Sequence, residues 1–314
     1  MTQFLLRRLI SVIIILFFVS IVVFAVTEIL PGDTATFMLG QRATPDLVVA
    51  LQKQMGLDRP VTVRYIEWIT GVLRGDWGKS LYFKTDIGPI LQQRLQKTIL
   101  LTFLTMLVGT PLGMGLGIIA GLNQGQRLDQ AIMIFTTLVI SIPSFVVAIF
   151  LVIIFAAWLQ WLPASSMIAS DATVGQMSSR LVLPVITLVA GMLAHLTRHT
   201  RSSLIAVLQD DYLRTARSKG LTHRTVILRH ALPNALLPTI TVIALNVGWL
   251  LSGAVLVEAV FAYPGLGQLM MQAISSRDIP LLQAVALVMA AAFTLSNLAA
   301  DLLYLWLNPM IRYE

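Results

Sequence analysis

The sequence predicts an all-α integral membrane protein with six transmembrane helices, a small helical segment outside the membrane after the first span, and a folded cytoplasmic loop. Three observations carry this. Of 314 residues, 57% are hydrophobic and only 12% charged, with a mean hydropathy of +0.82, too little polar surface to enclose a water-soluble core. Apolar runs of roughly 20 residues, the length that crosses a bilayer as a helix, recur along the chain. The basic residues behind the net charge of +7 gather between those runs, which reads as membrane orientation rather than nucleic-acid binding. The absence of cysteine excludes disulfides, thiolate metal sites and a cysteine nucleophile.

The first run, Leu9–Ile29, follows Arg7 and Arg8. It exceeds the ~7–15 apolar residues of a cleaved signal and lacks a small-residue cleavage site, so it is expected to remain as an anchor. The others are Ile99–Leu122, Ala131–Trp158, Leu181–His195, Ala235–Val257 and Leu281–Leu307. The fourth is the shortest and contains Pro184. Trp158, Trp161, Trp249, Tyr304 and Trp306 stand toward the ends of runs, where interfacial aromatics belong. Segments 1–30, 31–98, 99–307 and 308–314 then form an anchor, an extracytoplasmic segment, a membrane domain and a cytoplasmic tail.

Orientation follows from the short loops. Arg7, Arg8, Arg127, Arg312 and the dense set from Arg198 to Arg229 fall on one side, against Arg180 and Arg277 on the other. Both termini and the 198–235 loop are therefore expected in the cytoplasm. The long 30–98 connection is basic too, but its nine basic residues are balanced by six acidic ones. It reads as helical: Thr44-Pro45 opens a run that Gly56 closes, Pro60 opens a second that Gly71 or Gly75 closes, and Asp86 caps a third.

Gly109, Gly113, Gly117 and Gly121 recur every fourth residue of the second span. Such a stripe lets a partner helix approach closely, and the same surface would serve as a sliding face in transport. Asn246, Asn297 and Asp301 are the main polar groups within spans, with His195 near the end of the fourth; the asparagines suit hydrogen bonds between helices. His195 and His199 have a metal-ligand spacing, but Leu196 stands where a zinc protease needs glutamate, so no metal site is expected.

The stretch 210–234 breaks the lipid pattern. Asp210 and Asp211 begin a short helix, Arg214, Arg217 and Lys219 crowd its end, and Gly220 follows. Thr222 caps a second short helix with Val226, Ile227, His230 and Ala231 on one face, which Pro233 is expected to end. The residues alone leave two readings open, a connector lying on lipid and a docking element.

The stretch resembles the conserved cytoplasmic loop of binding-protein-dependent ABC importer permeases, Glu-Ala-Ala-x3-Gly-x9-Ile-x-Leu-Pro. Those slots hold Arg214, Thr215, Ala216, Gly220, His230, Leu232 and Pro233, with the glutamate, one alanine and the isoleucine replaced. Asp211–Leu221 looks like the variant used by the dipeptide/oligopeptide/nickel branch. Further features of that branch occur in order: Leu30-Pro31-Gly32-Asp33, Gly56–Pro60, Gly75-Asp76-Trp77-Gly78, Glu258 with Phe261–Gly267, Arg277–Pro280 and Asn308–Tyr313.

The resemblance implies a non-catalytic permease in a bacterial inner membrane. Its partners would be a second, related permease, two ATP-binding subunits that hold ATP and Mg, and an extracytoplasmic solute-binding protein. Asp211, Tyr212, Arg214, Thr215, Ala216, Lys219, Gly220, Leu221, His230, Leu232 and Pro233 would couple to the ATPase. Glu258, Phe261, Tyr263, Pro264, Gly265 and Gly267 would form an outer gate or binding-protein dock. In keeping with this, the chain has no phosphate-cradling G-x-x-x-x-G-K-[ST] of its own and needs no cofactor. Di- or oligopeptide is the expected cargo, with glutathione, nickel chelates or another small solute as alternatives. An ion-gradient-driven transporter would instead need internal repeats and buried charges, and a membrane enzyme a converging catalytic set; neither is visible.

Overall fold

A computed structural model describes residues 2–29, 43–54, 56, 58–167 and 174–307. Leu30–Asp33, Leu57, Asn308–Tyr313 and the side chains of Tyr304 and Trp306 lie outside the described part. The described residues are helical, with only an isolated Lys79–Asp86 bridge of β type. In order they form α1 (Thr2–Ile29), α2 (Pro45–Gln54), α3 (Val61–Leu73), α4 (Ile87–Leu122), α5 (Arg127–Ser141) and α6 (Ser144–Leu151), the last prolonged by a π-helical stretch, Val152–Trp158. Then come α7 (Val174–Leu208), α8 (Asp211–Ser218), α9 (His223–Thr225), a π-helical turn (Val226–Ala231), α10 (Leu232–Gly253), α11 (Val255–Val260), α12 (Leu266–Ser275) and α13 (Ile279–Leu307). Among the described residues five helices are long and apolar enough to cross a membrane, and a sixth crossing is reached if the bent pair α5–α6 counts as one.

The chain divides into two compact units, one built from Thr2–Thr98 with Pro264–Thr294, the other from Ile99–Tyr263 with the stretch from Leu295 onward. In the first, α1 leaves Ile13 66% and Phe18 61% exposed, a surface suited to an apolar surrounding. Its other side carries Ser20, Phe24 and Thr27. Phe24 packs on Tyr65 and Trp68 of α3 at ring separations of 5.4 and 5.7 Å, Ser20 bonds the Tyr65 hydroxyl at 2.8 Å, and Glu28 pairs with Arg64. Gln283 of α13 donates to Thr27 at 2.7 Å. Buried Asp278 ties a second part together. It accepts from Ser80 at 2.5 Å, from the Tyr82 amide at 3.0 Å and, as the cap of α13, from the Leu281 amide at 3.1 Å.

The second unit is organised by close approach of α4 and α7. A Cβ built on Gly109 would meet Met192 at 2.7 Å, one on Gly113 Leu196 at 2.9 Å, one on Gly117 Thr200 at 2.5 Å, and one on Gly121 Leu204 at 3.1 Å. Both stripes step by four residues, so the helices stay in register over three turns. Thr197 adds a hydrogen bond to the Gly113 carbonyl at 3.3 Å.

The structure departs from the sequence reading at five places. The helix after Asp86 is the start of the second span: α4 runs unbroken from Ile87, its Gln- and Lys-containing first turns masking the continuation. The third run is two helices meeting at 95°, because Pro143 lacks an N–H and drives Ile142 to extended backbone at φ −92°, ψ 125°. The fourth, far from being short, is the 35-residue α7. Pro184 withholds an amide from the Arg180 carbonyl, and the Ser166 hydroxyl donates there instead at 2.6 Å. Pro233 does not end the short helix that Thr222 opens. The π turn before it, in which Leu232 donates five residues back to Ile227, absorbs the missing amide and the helix continues as α10. Finally, Asn246 bonds within its own helix, to the Val242 carbonyl at 2.8 Å, rather than between helices.

Gly117→Ala places a methyl group against Thr200 and the Thr197 carbonyl, and should cost about 1–3 kcal/mol. Gly115→Ala enters open space in the same helix and should be neutral or stabilising by up to about 1 kcal/mol. Thermal unfolding of the two variants in detergent, compared with wild type, checks this opposition of sign.

Candidate functional site

The 198–235 loop is built by burying one face of each short helix. After α7 the chain turns through the Asp210 amide, which donates to Val207 at 3.0 Å. In α8, Leu213 and Ala216 point inward and pack with Leu204, Val226, Ala231 and Ala235. Asp211, Tyr212, Arg214, Thr215 and Ser218 remain exposed on the same short helix, as does Lys219 in the turn after it. Gly220 then takes φ +82°. Among the described residues no atom lies within 4 Å of a Cβ built there, so the demand for glycine is conformational, not spatial.

Beyond Leu221, which is exposed, the Thr222 hydroxyl accepts the Thr225 amide at 3.4 Å and opens the return helix. Val226, Ile227 and Ala231 are buried, His230 and Leu232 are half-buried and Pro233 is exposed. Three groups lock the return. The Tyr212 hydroxyl donates to the His230 carbonyl at 3.2 Å, while the Asn234 amide reaches the Tyr212 oxygen at 2.8 Å and the same carbonyl at 3.0 Å. The structure thus brings Tyr212 and His230 together, but through the backbone of His230. Leu213 and Asn234 are equal members of this element, and the burial period of α8 was the signal for the former.

A second anchor was not read from the sequence. Asp129, buried in α5, receives Arg201 of α7 in a two-pronged pair, Nε to Oδ1 at 2.6 Å and Nη2 to Oδ2 at 2.7 Å. It also accepts the Gly125 amide at 2.9 Å. The neighbouring Arg198 donates to Thr137 at 2.7 Å. The basic residues that signal orientation therefore also fasten α5 to the base of α7. A lone acid in the loop after Arg127 was the available clue.

The expected outer-gate residues are mostly interior. Glu258, Phe261 and Tyr263 are fully buried. Helix α11 closes by a six-residue turn in which the Tyr263 amide donates to the Glu258 carbonyl at 2.8 Å, with Ala262 at φ +50°, a place usually held by glycine. Ser166 donates its amide to the Phe261 carbonyl at 2.7 Å. Burial pushes the Tyr263 phenol well above its usual range, and the nearby Glu258 carboxylate adds to this. In the other unit, Gly265 and Gly267 are buried and Pro264 half-buried, with Leu266 donating to Thr98 at 2.8 Å as α12 begins.

A cavity of about 250 Å³ lies at the α5–α6 bend, against α7 and α10. His195 lines it together with Thr187, Asn246 and Trp249. His195 and His199 are exposed, and among the described residues no three His, Asp or Glu side chains converge as a metal site would require.

Residues 113–313 match the family described as the binding-protein-dependent transport system inner membrane component, and residues 1–101 match its N-terminal companion. The chain belongs to this family. The permease is 36% identical, over the full length of both chains, to a probable peptide ABC transporter permease of Sinorhizobium fredii. It is 37% identical, again over both full lengths, to the glutathione transport system permease protein GsiC of Salmonella choleraesuis. Its fold is similar to that of an inward-facing form of the MetNI methionine ABC transporter, with a TM-score of 0.56 at 16% identity, over 70% of this chain and 96% of that one.

Family membership makes the chain a multi-pass inner-membrane subunit of an ATP-driven importer of the dipeptide/oligopeptide branch. It is not itself catalytic, takes no cofactor of its own, and works with a partner permease, an ATPase and a solute-binding protein. The ion-driven and enzymatic alternatives are thereby set aside.

Asp129→Asn leaves Arg201 without its charge partner and should lower stability by about 3 kcal/mol, with Arg201's partial exposure softening the loss. Adding Arg201→Gln should cost less than the sum of the single changes. Thermal midpoints of the three variants in detergent decide it.

Proposed function

We propose that this permease forms half of a translocation path for di- or oligopeptides and that the Asp211–Pro233 element is the seat of its ATPase. One observation carries the second part. The element buries Leu213, Ala216, Val226, Ile227 and Ala231 within its own chain and leaves a largely cationic surface, Arg214, Lys219, Arg224 and Arg229, beside exposed Tyr212, Leu221 and Leu228. A helix meant to lie on a bilayer would turn its main apolar face outward rather than into its own chain. A compact basic projection instead suits an acidic groove on a soluble protein.

In this reading both termini and the 198–235 loop are cytoplasmic, as the short-loop charges require. Two ATPases each offer one groove, so a second permease of related sequence supplies the other coupling loop, and ATP and Mg stay with the ATPases. Their closure moves the membrane helices only by binding one state of the permease better than the other. The peptide cargo is drawn from the peptide and glutathione permeases that this chain resembles along its whole length. The burial of Glu258, Phe261 and Tyr263 supports a gate in the protein interior over an exposed dock. The glycines at 109, 113, 117 and 121 hold helices together in this scheme.

Gly220→Asp should insert and assemble in the membrane yet lose ATPase docking and uptake, since the change alters backbone preference and charge at the turn without a steric clash. Co-purification of the ATPase and uptake of labelled tripeptide are the readouts. Uptake at the wild-type rate would sink the coupling role.

A further inference from the structure

Helix α7 presents two unlike faces along its second half. One sets Met192, Leu196, Thr200 and Leu204 against the glycines of α4. The other carries His195, Arg198, His199, Ser202 and Gln209, all exposed and all within about 100° of one another around a helix of 3.6 residues per turn.

The glycine contacts also measure depth. Helices α4 and α7 run parallel, with Gly113 opposite Leu196 and Gly117 opposite Thr200. From Ile99 to Leu122 α4 carries no charge. At 1.5 Å per residue, His195 is level with a point roughly 14 Å inside the Leu122 end of that run, and Arg198 with one roughly 10 Å inside it. Over the same depth the outward side chains of α4 include Leu112 and Ile119, which suit lipid.

Arginine commonly escapes such depth by stretching its guanidinium toward the headgroups. Arg198 does not. Arg201, one turn nearer the 198–235 loop, pairs with Asp129, whereas Arg198 donates to Thr137, about 12 Å farther along α5 as that helix climbs from the Asn123–Gln126 turn. The Arg198 guanidinium is therefore drawn deeper. The hydrogen bond to Thr137 uses one of its five N–H donors. Asp129 is already committed, with both its oxygens on Arg201 and one of them also on the Gly125 amide.

The polar stripe is open at one end only. Continued away from the loop, the same face of α7 reaches Gly191, where a Cβ would meet Trp249 at 3.0 Å, and then buried Leu188. Hydrocarbon cannot cover a face of arginine, histidine and serine, so water or protein must. Helix contacts within membranes favour small residues, and a related permease packed face to face here would set cation against cation. Water with an anionic visitor is the cover that fits the charge.

We propose that the His195–Gln209 stripe of α7 is the wall of a water-filled recess in the membrane domain, open toward the 198–235 loop, and that Arg198 receives there a carboxylate of the transported solute. Thr137 steadies the guanidinium, and its remaining N–H groups match the two oxygens of a carboxylate. The choice of a carboxylate rests on the peptide reading above, since di- and oligopeptides and glutathione all carry one; the water-filled recess does not.

The natural absence of cysteine makes the test direct. In the assembled transporter, in membrane vesicles with the 198–235 loop outward, His195→Cys is compared with Leu112→Cys, its match in depth on the outward side of α4. A charged, water-soluble thiol reagent should modify the His195→Cys protein roughly tenfold faster than the Leu112→Cys protein. Ser202→Cys against Ile119→Cys repeats the comparison nearer the loop, so a reporter that fails to assemble with the ATPase leaves the other pair to decide. Trialanine should slow the labelling, and trialanine blocked as its C-terminal amide should not. Adding Arg198→Gln should raise the trialanine concentration for half protection about tenfold, and Arg198→Lys should restore part of the loss.

Labelling at His195→Cys and Ser202→Cys as slow as at their α4 matches overturns the water-filled recess whatever the solute is. Modification only by an uncharged, lipid-soluble thiol reagent does the same and gives the face to lipid. Fast labelling that trialanine does not slow, that its amide slows equally, or whose protection survives Arg198→Gln overturns the carboxylate contact. A wild-type complex that imports neither trialanine nor glutathione overturns the peptide reading and the carboxylate ligand together, while the labelling comparison still decides the recess.

Discussion

Hydrocarbon offers no hydrogen-bond partner, and the whole membrane part of this chain is arranged around that constraint. A continuous helix meets it without help. A proline inside or between helices breaks the pattern, and at three of them the structure shows how the chain responds. At Pro184 the compensation is a single hydroxyl, Ser166, on the Arg180 carbonyl. At Pro233 it is a change of helical pitch, the Val226–Ala231 π turn. At Pro143 the helix gives way altogether, and a mostly apolar cavity lies beside the bend. The same constraint turns the hydroxyls of Thr105, Thr136, Thr187 and Thr200 back onto carbonyls of their own helices.

Association of the helices has a different basis. With lipid on the outside there is little hydrophobic gain in bringing two apolar helices together, so contact must come from closeness. The four glycines of α4 supply it by removing every side chain opposite Met192, Leu196, Thr200 and Leu204. That contact holds α7 in place along its length. Where α7 nears its end, charge takes over: Arg201 grips Asp129, and Leu204 becomes the floor on which α8 and the return helix rest. A movement imposed on the Gly220 turn would therefore reach α7 through buried side chains within one unit, without a flexible joint.

Much of this was legible beforehand, for reasons that can be stated residue by residue. Thr44-Pro45, Gly56, Pro60 and Gly75 mark helix ends because caps and positive-φ positions are local demands, and the helices do begin and end there. The four-residue glycine period is likewise local. The 210–234 element was visible as a helix, a glycine and a second helix from its charge order and its Thr222 cap. Membrane character followed from composition alone, and family from motifs spread along the chain. The lengths of α4 and α7 were not legible, because hydropathy registers lipid exposure while helices continue into water on polar residues. The bend at Pro143 was hidden for the converse reason: an apolar run looks the same straight or broken.

What the sequence by itself determined was therefore the local grammar and the solvent: which stretches are helical, where they cap and turn, that lipid surrounds them, and to which family they belong. The tertiary structure decided how the chain compensates Pro184 and Pro233 and which acid meets Arg201. It also decided that Glu258 and Tyr263 are interior and that His195, Asn246 and Trp249 share one cavity with a broken helix. The physical reason is range. Caps, periods and turns act over a few residues, whereas Asp129 and Arg201 lie 72 positions apart and Ser166 and Arg180 belong to different elements, so only packing could bring them together.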